Sequence, residues 1–385
     1  MVYLDHNATT PLRPEVVDAM LPWLREGYGN PNSAYSLGQR ARAAIERARD
    51  QVAVLLGAAD ASEVVFTSGG SESDALAVAG GAWQARDESK GRRRKVVTTK
   101  IEHDAIRLLA GHLRRRGFDV LEAGCGADGV VNADELKAMI DDTTAIVSVM
   151  HANNETGVLQ PVAEIAAAAR IAGALVHTDA VQSLGKLSID AKALGVDLLA
   201  VSGHKVNAPK GVGALYVRRG VRLSPLIMGH QENNRRGGTE NTASIVGFGL
   251  ACELAGRELS SAGLHALALR KRLEAGILRV KGARLNGQDS PRLANTAHFS
   301  FDAIDGHHLV VALDLEGLCV SSGPACSSGA SMPSHVLIAM GLPPALATGS
   351  MRASVGWGST DADVDRLLAV LPGAVEKLRA VGTAA

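Results

Sequence analysis

A chain of 385 residues, 46% of them hydrophobic, exceeds what one apolar core fills, so a large and a small lobe are expected. Lysine plus arginine equals aspartate plus glutamate, 40 against 40, which removes any general electrostatic pull toward nucleic acid or an anionic membrane. The first ten residues carry no basic-then-apolar leader, no apolar run reaches ~18 residues, and four cysteines without a CxxC pair supply neither a disulfide framework nor a zinc ligand set. The expectation is a cytoplasmic protein with reduced thiols, acting on a small molecule or another protein.

In chain order, short β-branched runs alternate with Ala-rich stretches at helical period, the pattern of an α/β protein with a mainly parallel sheet. Strands are predicted over 64–67, 95–99, 145–150, 174–178, 198–202 and 212–217, and helices over 41–56 and 161–172. From about Glu253 a long polar-faced helix leads to a second strand set, 296–301 and 318–321, and to a C-terminal helix. This places a large domain at 14–255 and a small one in 1–13 and 256–385. The Gly-Arg-Arg-Arg-Lys run at 91–95 reads as a solvated turn before a strand.

Three strand ends carry chemistry-bearing residues. Phe66-Thr67-Ser68-Gly69-Gly70-Ser71 runs from a strand through glycines into a helix start, where unpaired amides and the positive helix end suit a phosphate; an ordinary N-cap with a glycine turn reads equally well. Val176-His177-Thr178-Asp179 is an apolar strand ending in a carboxylate, with Gln182 three residues on. Ser202-Gly203-His204-Lys205 follows another apolar strand and precedes a glycine-rich turn. An isolated lysine is usually a solvated surface group, but one held there has its charged form disfavoured and its amine becomes able to form a Schiff base with an aldehyde, with Ser202 and His204 beside it able to donate to a phosphate.

These segments, together with Tyr3-Leu4-Asp5-His6-Asn7-Ala8-Thr9-Thr10, Gly29-Asn30-Pro31-Asn32-Ser33, Glu102-His103, His151-Ala152-Asn153-Asn154-Glu155-Thr156-Gly157 and Arg236-Gly237-Gly238-Thr239-Glu240-Asn241, resemble in order the NifS/IscS-type cysteine desulfurases, group I of the class V aminotransferases. The resemblance covers nearly the whole chain. It implies a pyridoxal 5′-phosphate enzyme of fold type I, aspartate aminotransferase-like, with a mainly parallel seven-stranded sheet and a smaller α/β domain. It further implies that Lys205 holds the cofactor, that His103 stacks on its ring, and that Asp179 pairs with the ring nitrogen. Gln182 and Asn154 would then serve the ring hydroxyl and the substrate region. Gly70, Ser71, Ser202 and His204 would bind the phosphate, with Thr239 reaching in from the second subunit of a homodimer. Arg352 matches the binder of the substrate carboxylate, for which its planar fork is suited.

Ser321-Ser322-Gly323-Pro324-Ala325-Cys326-Ser327-Ser328-Gly329 is rich in small residues, so an exposed, movable loop is expected there, and Cys326 matches the family's nucleophile. The implied reaction converts L-cysteine to L-alanine and leaves the sulfur on Cys326 as a persulfide, with His103 handling the thiol protons. A sulfur-carrier or scaffold protein would take it onward, in iron–sulfur cluster assembly or another thiolation route. Asn233, Pro324 and Trp357 depart from the family pattern and bear on the loop and the acceptor rather than on the cofactor. Alternatives on the same fold are a selenocysteine lyase, a transaminase or a β-elimination lyase using no protein thiol; a non-catalytic scaffold conflicts with the intact set of Lys205, Asp179 and Cys326.

Overall fold

Alternation of side chains along seven short strands builds the centre of the molecule. The computed structural model describes residues 1–323 and 332–382, so Pro324 and Cys326, with the loop expected around them, lie outside the described residues. The strands are β1 (Val2–Tyr3), β2 (Val64–Thr67), β3 (Lys95–Thr99), β4 (Asp119–Ala123), β5 (Thr144–Ser148), β6 (Leu175–Asp179), β7 (Leu198–Ser202), β8 (Gly213–Val217), β9 (Ala283–Leu285), β10 (Thr296–Phe301), β11 (Leu318–Cys319) and β12 (Ser350–Ser354). The main sheet runs β2-β8-β7-β6-β5-β3-β4. It is parallel from β7 to β4, while β8 is antiparallel to both β2 and β7.

Every residue of β2, β5, β7 and β8 is buried, as a sheet covered on both faces requires. Val64, Phe66, Val147, Leu199 and Val201 enter one core together with Ile45, Val52 and Leu56 of the helix Ser36–Leu56 and with Phe248 and Cys252 of the helix Thr242–Ile277. Their sequence neighbours Val65, Ile146, Leu198 and Ala200 point the other way and meet Leu76, Ile106 and Leu113. The period of two along each strand thus sends alternate side chains to opposite layers.

A separate core joins Leu4, Phe299, Phe301, Leu309, Met351 and Leu367 with Leu269, Leu273 and Ile277 from the far half of the same long helix. That helix begins at Thr242, ahead of the expected Glu253, because Asn241 caps it by accepting from the Ser244 amide. The strand β10–β12–β9 sheet and the parallel pair β1–β11 flank this core. The strand expected over 318–321 stops at Cys319, and Ser321 instead bridges to Arg352 on β12. β4 is not among the predicted strands; its alternating exposed positions and acidic residues suit the more open of the sheet's two edges, β2 forming the buried one.

Candidate active site

The C-terminal ends of the parallel strands and the turns after them bring the singled-out residues to one edge of the sheet. β6 ends in Asp179, and β7 ends in Ser202, which leads into the single turn Gly203–Lys205. β3 leads to Glu102 and His103; the His103 Nδ1 accepts from the Ala105 amide at 3.2 Å and caps the helix Asp104–Arg115. With Nδ1 used as an acceptor, Nε2 is the nitrogen left to carry a proton.

From β2 the chain turns at Ser68-Gly69 into a helical run, Gly70–Ala75 continued by Leu76–Gly80 and Gly81–Glu88. Amides in its first turn have no carbonyl one turn earlier to pair with. The turn is held by Ser68 N to Glu72 Oε2 at 2.7 Å and by the Thr67 and Ser73 hydroxyls at 2.7 Å. Two glycines permit the approach: a Cβ on Gly213 would lie 2.7 Å from the Gly69 backbone, and one on Gly70 would lie 2.8 Å from Val181 Cγ2. The Ser202 hydroxyl borders the same turn. His204 Nδ1 lies 3.2 Å from the Thr9 hydroxyl, and burial plus the nearby Lys205 and Lys210 bring its pKa down to about 4, so the ring is neutral.

Lys205 Nζ donates to the backbone oxygens of Asn7 and Ala8, the latter at 2.7 Å. Asp179 Oδ1 accepts from the Val181 amide at 2.9 Å; burial raises its pKa, while His103, that amide and Lys205 pull it back down. Behind it lie further buried groups. Burial, then the neighbouring carboxyl groups of Asp179 and Glu102, raise Asp74 well above the usual carboxylate range, and burial brings His177, 3.4 Å from Asp74 Oδ1, down to about 3. Gln182 donates through Nε2 to Asn7 O at 3.0 Å and accepts on Oε1 from Lys186 at 3.0 Å.

Arg352 is 1% exposed on β12, with Nη1 on Asn154 O at 2.8 Å and Nη2 on Asp5 Oδ1 at 2.7 Å. Its fork is therefore engaged by the chain itself. Arg352 Nε and Asn154 Oδ1 are buried without a hydrogen-bond partner among the described residues. Thr239 is exposed, three residues beyond Arg236, whose guanidinium pairs with Glu72 at 2.8 Å beside the helix start.

Sequence reading gave no role to Asn7, Lys186, Glu102 or Asp74. Asn7 and Glu102 stand inside motifs whose neighbours drew the attention, and Lys186 follows Gln182 at a spacing of four that places both side chains on one side of a turn.

Residues 2–367 match the model of the aminotransferase class-V family, and the chain belongs to that family. It is 45% identical over 379 residues to the cysteine desulfurase IscS of Methanosarcina thermophila, covering 98% of this chain and 93% of that one. A solved NifS-like protein superposes with a TM-score of 0.90 at 37% identity, covering 98% of this chain and all of the other (100%). SspA, solved in complex with cysteine, gives a TM-score of 0.81 at 35% identity over 92% of this chain and 99% of its own.

Proposed function

We propose that the chain is a cysteine desulfurase that uses pyridoxal 5′-phosphate, converts L-cysteine to L-alanine and holds the sulfur on Cys326. The observation that carries the reading is the convergence of Lys205, Asp179 and His103 with the Gly69–Ser71 turn at one edge of the sheet, in a chain whose relatives bear that activity. The donor set suits the cofactor. Asp179 is a buried carboxylate whose desolvation a protonated pyridine nitrogen would offset, and the amides of Gly70 and Ser71 with Ser202 and His204 suit a phosphate. Asn154 Oδ1 has a lone pair to offer a donor entering the cleft.

When bound, pyridoxal phosphate supplies an electron sink for charge developing at the substrate α-carbon. The chain's own residues do the rest. Lys205 provides the amine that anchors the cofactor and moves the α-proton. His103, its ring oriented by the helix cap, exchanges protons with the thiols. Arg352 offers its fork to the substrate carboxylate by giving up its contact with Asp5 or sharing it. The Cys326 thiolate attacks the substrate sulfur; the S–S bond forms, the C–S bond breaks, and protonation at the former β-carbon leads to alanine. Thr239 of a second copy completes the phosphate site in a homodimer, and an acceptor protein takes the sulfur onward.

Purified protein with L-cysteine and a reductant is expected to release alanine and sulfide in equal amounts. Cys326→Ala should keep the visible absorbance of the bound cofactor and lose at least about a hundredfold in sulfide release. Undiminished sulfide from that variant would favour a C–S lyase that needs no protein thiol, the reading under which a selenocysteine lyase also falls.

A further inference from the structure

Lys186 lies beside Lys205 and has no part in the reading above. Turn hydrogen bonds from Leu184 N to Ala180 O and from Lys186 N to Ser183 O bring its stem back over Gln182. Its Nζ donates to Gln182 Oε1 at 3.0 Å and reaches Asn7 Oδ1 at 3.4 Å. An ammonium has no acceptor, so this contact dictates which end of the Gln182 amide faces it. The Nε2 end is thereby turned toward Asn7 O, the same carbonyl to which Lys205 donates. Asn7 is fixed in the same manner, with Oδ1 also receiving Asn295 Nδ2 at 3.0 Å and Nδ2 donating to Thr296 Oγ1 at 2.9 Å.

Both lysines border one cavity of about 360 Å³, whose wall also includes His6, Arg13, Glu258 and Trp357. Lys205 and Arg352 face Lys186, Arg352 being paired with Asp5 at 2.7 Å; the neutral His6 and His204 are near enough to feel its charge, and Arg13 across the cavity is paired with Glu258 at 2.7 Å, with His265 also on the wall. Burial, then Lys205 and Arg352, bring Lys186 down to about 7. Coulomb coupling is mutual, so whatever Lys205 does to Lys186, Lys186 does to Lys205.

We propose that Lys186 is a positioning residue for Lys205, one that orients the Gln182 amide and, through its charge, keeps the Lys205 nitrogen unprotonated and nucleophilic. The proposal rests on Lys205 being the cofactor-bearing amine. Removal of the neighbouring charge should raise the proton affinity of the Lys205 nitrogen by about one pH unit, a tenfold change. Arginine, which keeps both charge and donors, should restore the original behaviour.

The test is a pH titration of the visible absorbance of the protein loaded with pyridoxal phosphate, for wild type, Lys186→Met and Lys186→Arg. The expected result is a midpoint displaced upward by about one unit in Lys186→Met and close to wild type in Lys186→Arg. Coincident midpoints for wild type and Lys186→Met would overturn the proposal. Should the methionine variant not fold, the cofactor-free wild type and Lys186→Gln are labelled with trinitrobenzenesulfonate across the same pH range, and modification at Lys205 is followed by peptide mass spectrometry. A labelling profile moved to higher pH supports the role, and an unmoved profile refutes it. A wild-type protein that never develops the visible band would refute instead the reading of Lys205, and with it this proposal's premise.

Discussion

Glu102 sits fully buried next to His103, with Oε1 accepting from the Thr99 hydroxyl at 2.7 Å and from the Met150 amide at 3.0 Å. Its second oxygen has no partner among the described residues, and burial pushes its pKa up to about 8. The folded protein therefore keeps a proton that the unfolded chain releases above about 4.5. This group's contribution to stability is complete below that value and is lost as the pH rises through about 8. Glu102→Gln retains the accepting oxygen and never ionises. Its unfolding free energy relative to wild type should climb from pH 5 to pH 8 with a limiting slope of about 1.4 kcal/mol per pH unit, seen as a melting temperature that rises relative to wild type over that range. A difference that stays flat across that range contradicts the assignment. The proton on Glu102 also matters for its neighbour, since a second anion there would raise Asp179 further and blunt its value as a partner for a cation.

Asn233 acquires a local explanation at the level of the segment around it. Glu232, Asn233 and Asn234 all have left-handed backbone, with φ of 48°, 56° and 62°. Asparagine tolerates that region better than most side chains. Glu232 is held there by what it binds: Arg49 donates to both its oxygens at 2.6 and 2.9 Å, and the Phe66 amide donates at 2.9 Å. The helix Ser36–Leu56, strand β2 and this turn are thus tied at one buried carboxylate. Glu232→Ala leaves the Arg49 guanidinium and an amide buried without that partner. A loss of about 3–5 kcal/mol, read as a lowered urea midpoint, is expected. A midpoint equal to wild type would mean that the turn relaxes without cost.

The elements that the sequence revealed most sharply are those buried on both faces. β2, β3, β7 and β10 fall where their apolar runs begin and end, because a strand inside two layers has no freedom to trade residues with solvent. β4 carries no such run, since an edge strand open to solvent needs none, and the first turns of the long helix, Thr242 to Cys252, are apolar enough to read as core without period. At the candidate site, Lys205, Asp179 and the glycine turn stand out in the sequence because each follows the end of a strand. The hydrogen bonding that surrounds them does not, since Asn7 joins Gln182, Lys205, Asn295 and Thr296 across nearly three hundred residues of sequence, a relation that no local pattern encodes.

For the whole molecule, the proposed borrowing of Thr239 between subunits makes assembly part of catalysis. Thr239 is exposed, and Leu24, Tyr28 and Tyr35 present apolar side chains that are 66%, 81% and 56% exposed. Coverage by a second chain would remove such side chains from water. Light scattering of the full chain is expected to return the mass of two copies, and fully active protein with the mass of one would set the borrowed residue aside.

The placement of the N-terminal segment also imposes an order on folding. β1 pairs with β11, Val2 opposite Leu318, and Asp5 bridges to Ser354, while the carbonyls of Asn7 and Ala8 receive Lys205. Residues 2–5 find their strand partners only in residues 318–354, a closure over some three hundred residues of sequence that contact order makes slow. A chain lacking residues 318–354 would keep the strands of the main sheet and lose the partners that hold the Asn7 and Ala8 carbonyls beside Lys205.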